Sequence, residues 1–216
     1  MTPMFATQLF ALAALLFALA AFIARRQATV RRALPVDRSP AKGDAQRGVL
    51  YAFTLGMAPW AKESTRLHPV AYLRGIAFHV GIFAALGACA LSLWWETFPP
   101  FMRGAFAIVI GFGALMGLAG EAMRWTEANL RALSTADDHA SVWALTVFMA
   151  ATSAALIIPA GLPIMYITAG AMLIYAPLSK IRHCIYFFFS RRFFGVFIGR
   201  RAVLHTAPQG LSRGLK

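Results

Sequence analysis

Apolar residues in this chain come in long, nearly unbroken runs, not in the alternating pattern of half-buried strands or the one-faced pattern of soluble helices. A membrane-crossing helix needs about 20 mostly apolar residues, because at 1.5 Å rise per residue that length covers roughly 30 Å of hydrocarbon. The first such run is Met4–Ala24, broken only by Thr7 and Gln8 and closed by Arg25-Arg26. The second is Val70–Trp95, which carries Arg74 and His79, and the third is Phe101–Gly120. An uncharged stretch then extends from Val142 to Tyr175, too long for one ordinary span. Pro159, Gly161 and Pro163 punctuate it as a tight turn would, which predicts a fourth helix near Val142–Ile158 and a fifth from about Ile164. The fifth can continue through Cys184 to Phe189 and end before Arg191-Arg192. The pattern predicts an all-α integral membrane protein, a bundle of five transmembrane helices forming one domain over residues 1–216.

Between the first two spans lies a polar segment, residues 25–67. In it Val49, Leu50, Phe53, Met57 and Trp60 recur at helical spacing. This predicts either an amphipathic helix lying along the membrane surface or a short helix packed on the bundle.

Charge placement sets the orientation. The first run resembles a signal peptide in length, but nothing basic precedes Arg25. It reads as a retained anchor with the N-terminus outside. The segment after the first span, the loop after the third and the C-terminus then face the cytoplasm. Of the 21 Lys and Arg residues, Arg103 alone falls on the outer side, as expected when cytoplasmic loops retain their basic residues. The reading is a multi-pass protein of the bacterial inner membrane with a cytoplasmic C-terminus. The net charge of +13 is thereby explained without nucleic acid. A charged share of only 13%, against roughly 25% in soluble domains, agrees. The two cysteines form no CxxC or CxxCH, so a disulfide scaffold, a zinc site and covalently attached haem all lack their signature.

Ionisable groups within spans are functional hypotheses by default. Of the five histidines, His139 beside Asp137 and Asp138, and His205 in the tail, read as solvated. His68, just before Pro69, reads as a capping or interfacial residue. His79 lies about nine residues into the second span, roughly 13 Å deep, and His183 lies about eight residues before Arg191, roughly 12 Å deep. Matching depth on two helices suits a b-type haem, whose iron takes one imidazole from each of two neighbouring helices. The competing reading is two buried histidines donating to backbone carbonyls. Cys89 and Cys184 read as small apolar fillers.

The run Pro59-Trp60-Ala61-Lys62-Glu63-Ser64-Thr65-Arg66-Leu67-His68, with Tyr72 and Phe78-His79-Val80-Gly81, resembles the second-helix region of the respiratory nitrate reductase gamma subunit superfamily. Pro177-Leu178-Ser179-Lys180-Ile181-Arg182-His183 resembles that family's last-helix signature. The superfamily includes the membrane cytochromes of heterodisulfide reductase-like and sulfite reductase-linked complexes. The resemblance implies haem ligation by His79 and His183. Where the diheme members carry their second pair of histidines, this chain has Cys89 and Met165. One haem b near the cytoplasmic face is therefore implied, with the outer one lost. The family exchanges electrons between membrane quinone or quinol and a cytoplasmic iron–sulfur subunit. By resemblance, this chain would be the electron-transfer subunit of an oxidoreductase complex in the respiratory chain, with substrate catalysis in a partner. The alternatives are a haem-free membrane anchor or assembly subunit for a soluble redox complex and, less well supported, a small transporter, for which inverted repeats and corresponding broken helices are missing.

Overall fold

The computed structural model describes residues 2–32, 37–61 and 63–203, Ser64 without its side chain. Every regular element among them is helical. Nine α-helices follow one another: α1 Pro3–Val30, α2 Ala45–Phe53, α3 Glu63–Leu67, α4 Pro69–Ala90, α5 Pro100–Thr126, α6 Ala128–Leu133, α7 Ala136–Ile157, α8 Leu162–Tyr175 and α9 His183–Arg200. Helices α1, α4, α5 and α7 are each long and apolar enough to cross a membrane. A fifth span exists only if Pro159–Tyr175 and Lys180–Arg200 are counted together. The chain is therefore a multi-pass membrane protein by the length and composition of its helices.

The helices group into two compact units. One holds α1 to Thr29 and everything from Val70 to Arg182; the other holds residues 30–69 and the chain from His183 onward. Lys62, residues 33–36 and the tail beyond residue 203, His205 included, lie outside the described residues.

In the first unit, small residues lie at the helix contacts while many large apolar side chains face outward. Phe83, Ile108 and Leu115 stand 69%, 74% and 58% exposed, while Ala85, Ala107, Ala114 and Ala155 are buried. Lipid solvates large apolar side chains as well as the protein interior does, so helices associate through small residues that admit close backbone approach. The tightest approach joins α4 and α5. A Cβ on either Gly81 or Gly113 would stand 2.7 Å from the other's Cα. Helix α5 packs against α7, where Ser153 Oγ donates to Ala107 O at 2.8 Å. Around them Ile110, Phe148, Met149 and Met165 are fully buried. Helix α8 meets α1 where Phe10 covers Gly170.

Two differences from the sequence expectation have clear causes. The second helix ends at Ala90, not Trp95. The chain turns through Ser92–Thr97 as a 3-10 helix, and the buried Trp95 fastens the turn by donating Nε1–H to Ala88 O at 2.8 Å. The fifth helix does not continue to Phe189: it ends at Tyr175 and α-helix resumes only at His183. Pro177 lacks the amide hydrogen that a continued helix needs. The start of α7 also pins the break, because Asp137 accepts hydrogen bonds from Tyr175 Oη and, at 2.9 Å, from Lys180 N.

The second unit is built on α2 and α9. Asp44 caps α2, its Oδ1 accepting from Gln46 N at 2.7 Å. Gly48 lies directly on Gly195 and Gly199 of α9. The helical pattern read from Val49 to Trp60 therefore resolves into a short helix that ends at Phe53 and packs on α9. Met57 and Trp60 sit in 3-10 turns beyond it. Phe53 packs its ring against Phe187 and Phe188, with centroids 6.1 and 6.3 Å apart.

The far end of this unit is tied by Asp37. It accepts hydrogen bonds from the hydroxyl and amide of Ser39 and pairs with Arg201. Those bonds, Ser39's first, hold its carboxyl down to about 2 from an ordinary 3.8. A depressed acid contributes fully above its unfolded value and loses that contribution as pH falls through its folded one. The tie should therefore be complete above about pH 4 and fail towards pH 2. Protection of the Lys42 and Gly43 amides, which donate to Arg200 O, taken relative to the intrinsic exchange rate at each pH, should fall over that interval. In Asp37→Asn it should be low throughout.

Candidate functional site

His79 lies on α4 and is exposed. Its Nδ1 sits 2.7 Å from the carbonyl of Gly75, one turn earlier. A carbonyl only accepts, so Nδ1 must carry the proton, and the lone pair of the neutral ring is on Nε2. Metal-ligating histidines show this arrangement, their second nitrogen donating to a carbonyl that fixes tautomer and ring orientation. Phe78 stands edge-on to the imidazole, with centroids 6.0 Å apart. A bond to a backbone carbonyl is also what the competing reading expects, although His79 is exposed and not buried.

His183 is the first residue of α9, directly after the Lys180–Arg182 turn, and is exposed. The stretch from His183 to Arg191 over which its depth was counted is one unbroken part of α9, but that helix runs on past Arg191 to Arg200. His79 belongs to the first unit and His183 to the second. Of the residues at the positions where the resemblance places a second pair of histidines, Met165 is fully buried and Cys89 packs half-buried against the same core. Cys184 is exposed, so it fills no core. His68 is exposed and immediately precedes Pro69, where α4 begins. Among the described residues no three His, Cys, Asp or Glu side chains converge as a metal site; a bis-histidine haem needs only two.

The first unit also brings together a pair that the sequence reading passed over. Glu121, on α5, is buried, and its carboxylate oxygen Oε1 contacts His139 Nδ1 on α7. His139 is therefore engaged, not simply solvated. Its side chain is 30% exposed against 3% for Glu121, so the pair leads from the surface into the packed interior. Beside it, the guanidinium of Arg74 from α4 lies over Gly120, and Thr146 from α7 lies over Gly117 one turn away. Neither glycine could carry a side chain without displacing them. Three atoms here are buried without a hydrogen-bond partner among the described residues: Glu121 Oε2, Arg74 Nε and Thr146 Oγ1.

The surrounding charges are occupied. Lys180 Nζ pairs with Asp138 at 2.5 Å, Asp137 is taken by Tyr175 and the Lys180 amide, and Arg124 donates to Ser134 Oγ at 2.8 Å. One sequence signal could have exposed the pair. Glu121 follows an apolar run ending at Gly120, close to the end of α5 at Thr126, and His139 stands close to the start of α7 at Ala136. An antiparallel helical hairpin brings such positions together.

No protein-family model, curated protein or solved structure matches this chain.

Proposed function

We propose that this chain is the membrane-anchoring b-type cytochrome subunit of a bacterial redox complex. In this reading it passes electrons between quinone or quinol in the inner membrane and a cytoplasmic iron–sulfur partner through one haem b held by His79 and His183. The observation that carries it is the bond from His79 Nδ1 to Gly75 O, which sets the tautomer of a histidine in a helix long enough to span the membrane. The motif resemblance around His79 and His183 supports the same assignment. Haem, when bound, supplies one-electron chemistry at a potential set by its ligands and burial. The residues' part is to hold and orient: Gly75 fixes the His79 tautomer, and Phe78 limits rotation of its ring. Substrate chemistry belongs to the partner.

The proposed orientation has the N-terminus and the turns near Glu96 and Gly161 outside, with residues 25–67 and the C-terminus in the cytoplasm. The distribution of basic residues supports it. Reporter fusions at Gly43 and Lys216 should register as cytoplasmic and one near Phe98 as periplasmic. A periplasmic signal at Lys216 would show an even number of spans. The iron–sulfur partner would dock on the basic cytoplasmic regions 25–67 and 180–216, where charge speeds encounter more than it tightens binding. Within them Arg200 and Arg201 are engaged by Asp37, which makes the exposed Arg192 the cleaner position for a charge reversal.

A second reading, a haem-free anchor for a soluble redox complex, draws on the break at Tyr175, which places His183 outside any unbroken span with α8. The visible spectrum of purified protein separates the two. A low-spin b-type spectrum at about one haem per chain supports the cytochrome; a featureless spectrum after expression with ample haem leaves the anchor.

A further inference from the structure

We propose that Glu121 and His139 form a proton-transfer pair through which water at this end of the first unit exchanges a proton with the unit's interior. This does not rest on the haem assignment. Within membrane helices, paired carboxylates and imidazoles often mark proton paths, because an ionisable group is costly there and is rare without a function. The geometry supplies an entrance and an exit. His139 is the partly exposed member, and Glu121 Oε1 faces it. Glu121 Oε2 faces the other way, buried and without a protein hydrogen bond, as are Arg74 Nε and Thr146 Oγ1 over Gly120 and Gly117. Buried polar atoms of this kind are normally satisfied by ordered water. Ordered water there would join the Glu121 carboxyl to the polar atoms of α4 and α7.

The step balances as follows. A proton from water bonds to His139 Nε2, the Nδ1–H bond breaks, and that proton forms an O–H bond on Glu121 Oε1. The imidazole is left neutral with its proton on Nε2. Rotation of the carboxyl carries the proton to the inner side, where it leaves to water or another acceptor and restores the carboxylate. With the ring swung away from Glu121, loss of the Nε2 proton to water and uptake of one from water at Nδ1 restore the Nδ1–H donor. No electron moves. Of the neighbouring ionisable groups, Asp138 of α7 is paired with Lys180 and Asp137 with Tyr175 of α8, while the guanidinium of Arg74 of α4 lies over Gly120, next to Glu121.

The plain alternative is an ion pair that only clamps α5 to α7, and proton kinetics separates the two. In lipid nanodiscs, time-resolved infrared after a drop in pH should show the C=O stretch of a buried carboxylic acid. The band should be absent from Glu121→Gln. In unsubstituted protein it should shift on carbon-isotope labelling of glutamate, a measurement that needs no variant to fold. In His139→Ala the band should form about a hundredfold more slowly, the size of effect expected when a positioned acid–base group is removed. Added imidazole should restore the rate at constant pH. A band unaffected by glutamate labelling, or wild-type kinetics in His139→Ala, would overturn the proposal. A featureless visible spectrum would not bear on it.

Discussion

Replacing either His79 or His183 by alanine is expected to abolish the low-spin b-type spectrum of the purified protein. The effect should be close to complete, not graded. Loss of one axial imidazole leaves the iron five-coordinate and removes half of the protein's covalent hold on the group. His68→Ala and His139→Ala should retain the spectrum, which makes them controls for expression and membrane insertion. His79→Gln keeps a polar side chain without an imidazole nitrogen and should lose the spectrum as fully as alanine. If His68→Ala erased the spectrum while His79→Ala kept it, the ligand pair would be misassigned. Spectra retained in both His79→Ala and His183→Ala would remove both histidines from the site.

The membrane character was legible because burial in lipid imposes a length. Runs such as Met4–Ala24 and Phe101–Gly120 sit inside α1 and α5, and Pro159, Gly161 and Pro163 fall at the connection between α7 and α8. Helix ends were less legible. Polar residues such as Gln27 and Arg124 continue a helix once its apolar part is fixed, so α1 and α5 overrun their apolar runs to Val30 and Thr126. The break after Tyr175 depends on Pro177 together with long-range bonds from Asp137. An apolar count reads through both. The two-unit division was not legible either, since it rests on Gly48 meeting Gly195 and Gly199 across a long sequence separation.

The site residues divide along the same line. His79 stood out because a histidine interrupts an apolar run, and its local geometry, one turn from Gly75, follows from helical periodicity alone. Glu121 did not stand out, because it sits at the margin of its run, where a charge normally reaches water. Only the packing of α5 on α7 shows that it is buried and that His139 meets it. A residue's chemistry is readable from its type and local spacing; its burial is set by neighbours that spacing does not name.

Gly81→Ala and Gly113→Ala are expected to destabilise the first unit strongly, although alanine is the better helix former. In an open helical position the exchange should stabilise by up to about 1 kcal/mol. Gly87 on α4 and Gly104 on α5 are such positions, with nothing within 4 Å of an added Cβ. They serve as controls on the same two helices. At Gly81 and Gly113 the added carbon would stand 2.7 Å from backbone of the facing helix, and backbone cannot swing aside as a flexible side chain can. The helices must separate, giving up the contacts around Met149 as well, since its Sδ lies 3.0 Å from the Gly81 position. Overpacking of side chains typically costs about 1–3 kcal/mol, and a backbone clash should reach at least the upper end. Unfolding followed in mixed micelles would measure the four variants on one scale. Because Gly81 and Gly113 face each other, one helix displacement relieves both clashes. The double variant should therefore cost less than the sum of the singles, whereas residues without a shared contact add. Additive costs, or Gly113→Ala as benign as Gly104→Ala, would mean that α4 and α5 do not cross at this pair.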